Sequence, residues 1–171
     1  MNTDKDHEMK TYLSFKLNEE VFAINVSRVL NILEMSHITK VPKAPDYLKG
    51  VINLRGTVLP VVDLRIKFGM PEKETSIDSA IIVLSIELNG ESVLVGTLVD
   101  SVKEVLELRS DEIAPSPSLG SKYSSGIIEG MWRIDDNFIM ILDINKVFSS
   151  EEIIDFKEQI AQPLNEVVEN K

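Results

Sequence analysis

The two halves of the chain carry similar residues in the same order, and this internal repeat is the feature that most limits the fold. Apolar positions, a turn and an aspartate recur at similar spacing in each half. The matched segments are 12–34 with 83–107, Gly50-Val-Ile with Gly126-Ile-Ile, and 59–68 with 139–148. A repeat over whole halves indicates duplication, so we expect each half to build the same small unit.

Each half has the pattern of short strands joined by tight turns. Leu13, Phe15 and Leu17 alternate with polar residues, which predicts a half-buried strand. Asn89-Gly90 predicts a hairpin turn because both residue types adopt positive φ at low cost. Asn53-Leu54-Arg55-Gly56 predicts a second hairpin tip. A small open sheet leaves its edges unpaired, so each half is predicted to close into a small β-barrel.

Helical segments are predicted at two places. Ser27 is expected to cap a short helical turn over residues 26–32, with Val29, Leu30 and Leu33 facing inward. Ser149 and Glu152 have the spacing of a capping box, which predicts a helix at the C-terminal end. The predicted divisions are a flexible tail at 1–9, a domain at 10–148 made of barrels at about 12–70 and 77–148, a helix at 149–162, and a flexible tail at 163–171.

Composition restricts the functional classes. The chain has 171 residues, no cysteine and a formal net charge of −10. The missing thiols exclude disulfides and thiolate chemistry. The first ten residues are polar, so a secretory signal is not expected and a cytoplasmic location is predicted. A single-stranded nucleic acid binder remains an alternative for a small barrel, but the acidic charge and 6% aromatic content argue against it.

No catalytic constellation is present in the sequence. His7 and His37 have no partner at metal-ligand or catalytic spacing, so both are interpreted as solvated residues. The repeat places Asp63 and Asp143 at equivalent positions, and paired carboxylates could share a proton. Leu-Arg and Ile-Asn follow these aspartates, rather than the Thr-Gly or Ser-Gly of such a dyad. Capping of local structure is therefore the favoured role, and the chain is predicted not to be an enzyme.

Two adjacent motifs carry a family resemblance. Gly50-Val-Ile-Asn-Leu-Arg-Gly56 and Leu59-Pro-Val-Val-Asp-Leu-Arg65 resemble the signature segment of the CheW chemotaxis coupling family, and the resemblance extends from residue 10 to residue 148. It implies two SH3-like five-stranded β-barrels and no cofactor. It also implies an adaptor that binds the regulatory domain of the histidine kinase CheA and the cytoplasmic tip of a methyl-accepting chemoreceptor. A coupling protein of a related, non-chemotaxis pathway is the alternative.

The resemblance also implies site residues. For receptor binding these are Val29, Asn31, Ile32, Asn53, Arg55 and Gly56, and for kinase binding they are Ile38, Val41 and Pro42. A guanidinium held on a tight turn can form a forked hydrogen bond to a partner, although a solvated turn arginine is the alternative for Arg55. Val29 and Ile32 have ordinary core packing as their alternative. Asn31 replaces a glutamate common in the family, which weakens a charge contact there.

Overall fold

The computed structural model describes residues 8–115 and 126–161, which fold into two five-stranded sheets. The strands are β1 (Met9–Leu17), β2 (Glu20–Asn25), β3 (Val29–Glu34), β4 (Leu48–Leu54), β5 (Thr57–Asp63), β6 (Ala80–Leu88), β7 (Glu91–Val99), β8 (Ser101–Arg109), β9 (Ile128–Ile134) and β10 (Asn137–Leu142). The α-helices are α1 (Leu64–Lys67), α2 (Ile144–Val147) and α3 (Ser150–Ala161). The mainly β prediction is confirmed.

Each sheet combines strands from both halves of the chain. The first sheet has the order β8-β1-β2-β10-β9, and the second has the order β3-β6-β7-β5-β4. Each half therefore gives its first two strands to one sheet and its last three strands to the other. This pairing corrects the predicted division into barrels at about 12–70 and 77–148, because each sheet contains strands from both ranges. The two halves exchange strands because β2 pairs in parallel with β10 and β7 with β5, rather than with strands of their own half.

The repeat is reproduced in the strand register. Val61 pairs with Gly96 as Ile141 pairs with Ala23. Gly50 lies opposite Val61, and Gly130 lies opposite Ile141. Gly50 is thus equivalent to Gly130, and the sequence match of Gly50 with Gly126 is four residues out of register.

Each sheet has an isolated β-bridge that helps to close it, and the two bridges are equivalent. After β3, Thr39 forms an isolated antiparallel bridge with Val51 of β4, and after β8, Ala114 forms the equivalent bridge with Met131 of β9. A Cβ atom at Gly50 would collide with the Thr39 carbonyl group, so this position needs glycine both for space and for its φ of 147°. The segment that follows each edge strand therefore covers the opposite edge of its sheet.

The largest apolar cluster lies between the two sheets. Within the described chain, small clusters fill each sheet's concave side, with Tyr12 and Ile141 in one and Val61 and Val83 in the other. The alternate residues of the same strands, such as Phe15, form a larger cluster with residues of both sheets and of α3. Strands β1, β5, β6 and β7 are thus buried on both faces, so the half-buried pattern predicted at Leu13–Leu17 underestimates burial.

Three local predictions need adjustment. Residues 26–32 form a 3-10 turn at Val26–Arg28 followed by β3, and the cap is the Asn25 side chain, which accepts from the Ser27 N–H group. Strand β1 begins at Met9, inside the predicted tail 1–9, while residues 1–7 lie outside the described residues. The C-terminal helix spans Ser150–Ala161, and its capping box is present. The predicted tail 163–171 lies outside the described residues.

Candidate protein-binding surfaces

The β4–β5 hairpin holds Arg55 at its tip. Arg55 and Gly56 have φ of 52° and 85°, the left-handed values of a tight two-residue hairpin turn. The Asn53 side chain accepts a hydrogen bond from the Gly56 N–H group at 2.7 Å, which fixes the turn. Among the described residues no hydrogen bond or ion pair engages the exposed Arg55 guanidinium, so it is available to a partner. The structure thus brings Asn53, Arg55 and Gly56 together.

Strand β3 presents an apolar outer face on the edge of its sheet. Leu30 is 59% exposed and Ile32 is 45% exposed, and among the described strands β3 pairs only with β6. Two exposed apolar side chains on one strand face, beside an open edge, suit contact with another protein. Sequence reasoning singled out Ile32, but its prediction that Leu30 faces inward is wrong, because it placed this segment in a helical turn. The period-2 alternation of β3 is the signal that could have found it.

The other predicted residues of β3 point the opposite way. Val29 is half-buried and packs against the large cluster between the sheets. The Asn31 side chain accepts from the Ile32 N–H group, and Leu33 packs on the cluster inside the second sheet. Leu54, next to Arg55, packs on that same cluster. The hairpin tip and β3 are therefore anchored to one apolar core.

The loop 35–47 and helix α3 form a groove. Val41 and Pro42 line a cavity of about 310 Å³ together with Asp155, Phe156 and Glu158 of α3. Ile38 does not line this cavity, since it packs instead on the cluster inside the second sheet. The structure thus brings Val41 and Pro42 together and places Ile38 apart, and it adds an acidic helix face that the sequence did not indicate.

A polar cluster fixes α3 beside this groove. Lys67 pairs with Glu152 of α3, and its Nζ atom lies 4.4 Å from the centre of the Tyr47 ring. Burial raises the pKa of Glu152, but hydrogen bonds from Lys67, the Ser149 N–H group and Tyr47 outweigh it, so the net pKa is lowered. Burial and the bond to Glu152 raise the pKa of Tyr47. The helix is thus held by charge as well as by Phe156 in the core.

A buried ion network joins α1 to the end of β7. The Arg65 side chain is 2% exposed and donates to both carboxylate oxygens of Asp63, at 3.0 and 2.9 Å, and to Asp100 at 2.8 Å. The hydrogen bond to Asp63, which outweighs burial, raises the pKa of Arg65. Asp63 also caps α1 through the Arg65 N–H group, as Asp143 caps α2 through Asn145. Each aspartate therefore has its own local partners, which supports the capping interpretation over a shared-proton dyad.

A second groove lies on the first sheet, where no sequence pattern predicted a site. It is a cavity of about 290 Å³ between the β9–β10 hairpin and β8, lined by Phe138, Ile134, Lys103 and Glu104 among others. Phe138 is 48% exposed. This surface carries the acidic tip Asp135-Asp136 at the position where the second sheet carries Arg55-Gly56.

The described residues contain neither a metal-binding cluster nor a membrane-crossing helix. In the described ranges, no group of three or more histidine, cysteine, aspartate or glutamate side chains is placed to hold a metal ion. In those same ranges no helix has the length and apolar character needed to cross a membrane.

Comparison with known proteins identifies the family. The model of the CheW-like domain matches residues 11–152. Chemotaxis protein CheW of Klebsiella aerogenes is 33% identical over 83% of this chain and 83% of its own length. Chemotaxis protein CheW of Thermotoga maritima is 35% identical over 82% of this chain and 87% of its own length.

A solved structure agrees with the sequence comparisons. The scaffolding protein TtCheW from Thermoanaerobacter tengcongensis superposes with a TM-score of 0.73 at 32% identity, covering 85% of this chain and 96% of that one. The fold, the repeat and these likenesses agree over nearly the same residues. The chain belongs to the CheW-like domain family of non-catalytic chemotaxis adaptors.

Proposed function

We propose that this chemotaxis adaptor joins the regulatory domain of the histidine kinase CheA to the cytoplasmic tip of a methyl-accepting chemoreceptor. The observation that carries the proposal is the pair of separate exposed surfaces around the second sheet, one at the Arg55 tip and β3, the other at the groove beside α3. Such an adaptor works in the cytoplasm beside the receptor arrays.

The receptor is proposed to bind at the hairpin tip and the outer face of β3. Arg55 offers a forked donor with no partner of its own in the described chain, and Leu30 and Ile32 offer apolar contact. Asn53 and Gly56 hold the turn. Val29 and Asn31 face the protein side of the strand, and their proposed role is to support the position of β3.

The kinase is proposed to bind at the groove between the loop 35–47 and α3. Val41 and Pro42 give an apolar wall, and Asp155 and Glu158 give an acidic rim. Ile38 supports the loop from inside, because it packs on the cluster within the second sheet. A partner segment with an apolar side chain next to a basic one would match this groove.

Separate binding assays test the two assignments. Arg55→Ala should weaken capture of the receptor tip by about 10-fold, which is about 1.4 kcal/mol, and leave capture of the kinase regulatory domain unchanged. Pro42→Glu should weaken kinase capture, because it puts a charged group into the apolar wall against which the apolar side chain of the partner is proposed to pack, and leave receptor capture unchanged.

Matched controls come from equivalent exposed positions. Arg133→Ala removes an exposed arginine next to the other hairpin tip, and Pro71→Glu adds the same charge at an exposed proline far from the groove in sequence. Both controls should bind both partners normally. Equal receptor binding by Arg55→Ala and the parent protein would remove Arg55 from the site, and a loss of both partners in one variant would refute the separation of the two surfaces.

A further inference from the structure

The two halves of the chain are connected by an exposed segment. Residues 71–78, between α1 and β6, are all exposed. The contacts of this connector are few and peripheral: Pro71 accepts a hydrogen bond from Asn18 at 3.2 Å, and Glu72 pairs with Lys49. Its last residues form a local turn in which the Ser79 hydroxyl group accepts from the Ser76 N–H group. The connector thus contributes little to the core and serves mainly to tether the halves.

The halves are instead held together by strand ladders. Strand β1 pairs with β8, β2 with β10, β3 with β6 and β5 with β7, and each pair takes one strand from each half. The apolar cluster between the sheets also draws residues from both halves. Neither half contains a complete sheet, so each needs the other half to satisfy its edges and to bury its apolar faces.

We propose that this half-to-half interface also accepts a second copy of the chain. When the connector opens, the first half of one copy presents to the second half of another copy the same ladders that it forms within its own chain. Two copies then close into an exchanged dimer in which every strand pair is retained. The dimer carries each exposed surface twice, which makes it a bivalent adaptor.

Concentration and connector length decide between the two forms. A short flexible tether gives its own halves an effective concentration in the range of ~1 mM, so dilute chains close on themselves. Exchange becomes competitive only as the protein concentration approaches that range, or when the tether is too short to allow closure. Strands β5 and β6 are separated by β7, an offset of ~10 Å before α1 is added. With residues 72–78 deleted, the three remaining Cα–Cα steps from Met70 to Ala80 reach at most ~11 Å, so the shortened chain has almost no slack to cross this offset.

The absence of cysteine allows a direct test. Thr11 of β1 lies opposite Glu107 of β8. Full-length Thr11→Cys and Glu107→Cys proteins are mixed in denaturant, refolded at ~1 µM and at ~1 mM, and oxidised. A disulfide between the two variants above the level of random oxidation requires that β1 of one copy pairs with β8 of the other. The cross-copy disulfide should rise at least ~10-fold between the two concentrations, and a connector lacking residues 72–78 should give dimer at both.

Controls make each result decisive. The double variant Thr11→Cys/Glu107→Cys in one chain must form its internal disulfide, which shows that the geometry is suitable. Thr11→Cys mixed with Lys103→Cys, which is out of register, measures random oxidation. The inference is overturned if the internal disulfide forms but the cross-copy disulfide stays at the level of random oxidation at ~1 mM. This native-length arm decides the matter even if the shortened chain does not fold.

Discussion

The two helix-capping junctions of the molecule have similar backbone conformations, but an ion network fills the first and a polar cavity lies at the second. Asp63 and Asp143 have φ of −87° and −90°, and both accept a hydrogen bond from the backbone N–H group two residues later. In the first junction Arg65 fills the space between Asp63 and Asp100. In the second junction Asn145 stands in the place of Arg65, and a polar cavity of about 230 Å³ is left. The two halves thus share the backbone frame of this junction, while the polar side chains inside it have diverged.

The two equivalent edge strands diverged in the same way. By their registers against β6 and β1, Leu30 and Ile32 of β3 correspond to Lys103 and Val105 of β8. One edge presents two adjacent exposed apolar side chains, while on the other a lysine replaces the first of them. The shared frame thus specifies the fold, whereas substitutions at equivalent positions determine which edge strand exposes an apolar pair.

Removing the arginine from the first junction should have the largest effect. Arg65→Met leaves the fully buried Asp63 and the nearby Asp100 without their shared cation, and breaking such a buried network costs about 3–5 kcal/mol. Asn145→Ala at the second junction removes only the bond to the Glu87 N–H group and should cost about 0.5–1 kcal/mol. Urea unfolding measures both variants. Similar losses would mean that the two junctions contribute equally to stability.

The bridge glycines give the next effect. Gly50→Ala places a Cβ atom against the Thr39 carbonyl group at a φ of 147°, which should cost about 3 kcal/mol. Gly130→Ala has as its nearest neighbour an Ile113 methyl group, which can move, so a loss of about 1–2 kcal/mol is expected. Thermal unfolding compares the two. A larger loss at Gly130 would show that the second sheet tolerates opening of its bridge between Thr39 and Val51.

Two glutamates should change stability with opposite pH dependence. The pKa of Glu152 is lowered in the folded state, so its contribution is present above the ordinary value of 4.5 and is lost as the pH falls through the folded value. Burial first, and then Asp143, raises the pKa of Glu129, so the folded state is relatively favoured at low pH and loses this advantage as the pH rises.

Glutamine variants separate the two cases. At pH 7 Glu152→Gln should be less stable than the parent protein and Glu129→Gln slightly more stable, and both differences should shrink as the pH falls below about 4. Unfolding curves between pH 3 and pH 7 provide the measurement. If both variants changed stability in the same direction at pH 7, the opposite electrostatic surroundings of the two glutamates would be disproved.

The smallest effect on stability is expected at the edge strands. Leu30→Lys gives β3 the residue that β8 has at the equivalent position, and this exposed change should alter stability by less than about 0.5 kcal/mol. It should nevertheless weaken capture of the receptor tip, because it removes half of the exposed apolar pair. The reverse change, Lys103→Leu, should leave that capture unaffected. Unchanged receptor binding by Leu30→Lys would place the binding surface elsewhere.

The sequence allowed the strand content, the hairpin tip and the C-terminal helix to be predicted. Each of these depends on local chemistry: the turn at Arg55-Gly56 on backbone φ, and the start of α3 on the reciprocal bonds of Ser149 and Glu152. Local patterns did not reveal the exchange of strands, since β2 has the same alternation whichever strand it joins. The partner of Arg65 was also hidden, because Asp100 lies 35 residues away in the chain.

The binding surfaces were predicted only in part. Arg55 was singled out because a turn exposes its central residues, and Pro42 because proline-containing loops lie on the surface; both stay predictions as binding residues. The inward orientation predicted for Leu30 is wrong and Phe138 was missed, because exposure of an apolar residue depends on which face of a strand meets the core. That choice is made by the packing of the two sheets against each other.

The apolar cluster between the sheets has a mechanical consequence. Because β1, β5, β6 and β7 are buried on both faces, the two sheets share a close-packed interface that resists rotation of one sheet against the other. A displacement of the hairpin tip should therefore rotate the two sheets together as one rigid body. A rigid adaptor of this kind transmits a change in the orientation of a bound partner without changing its own conformation.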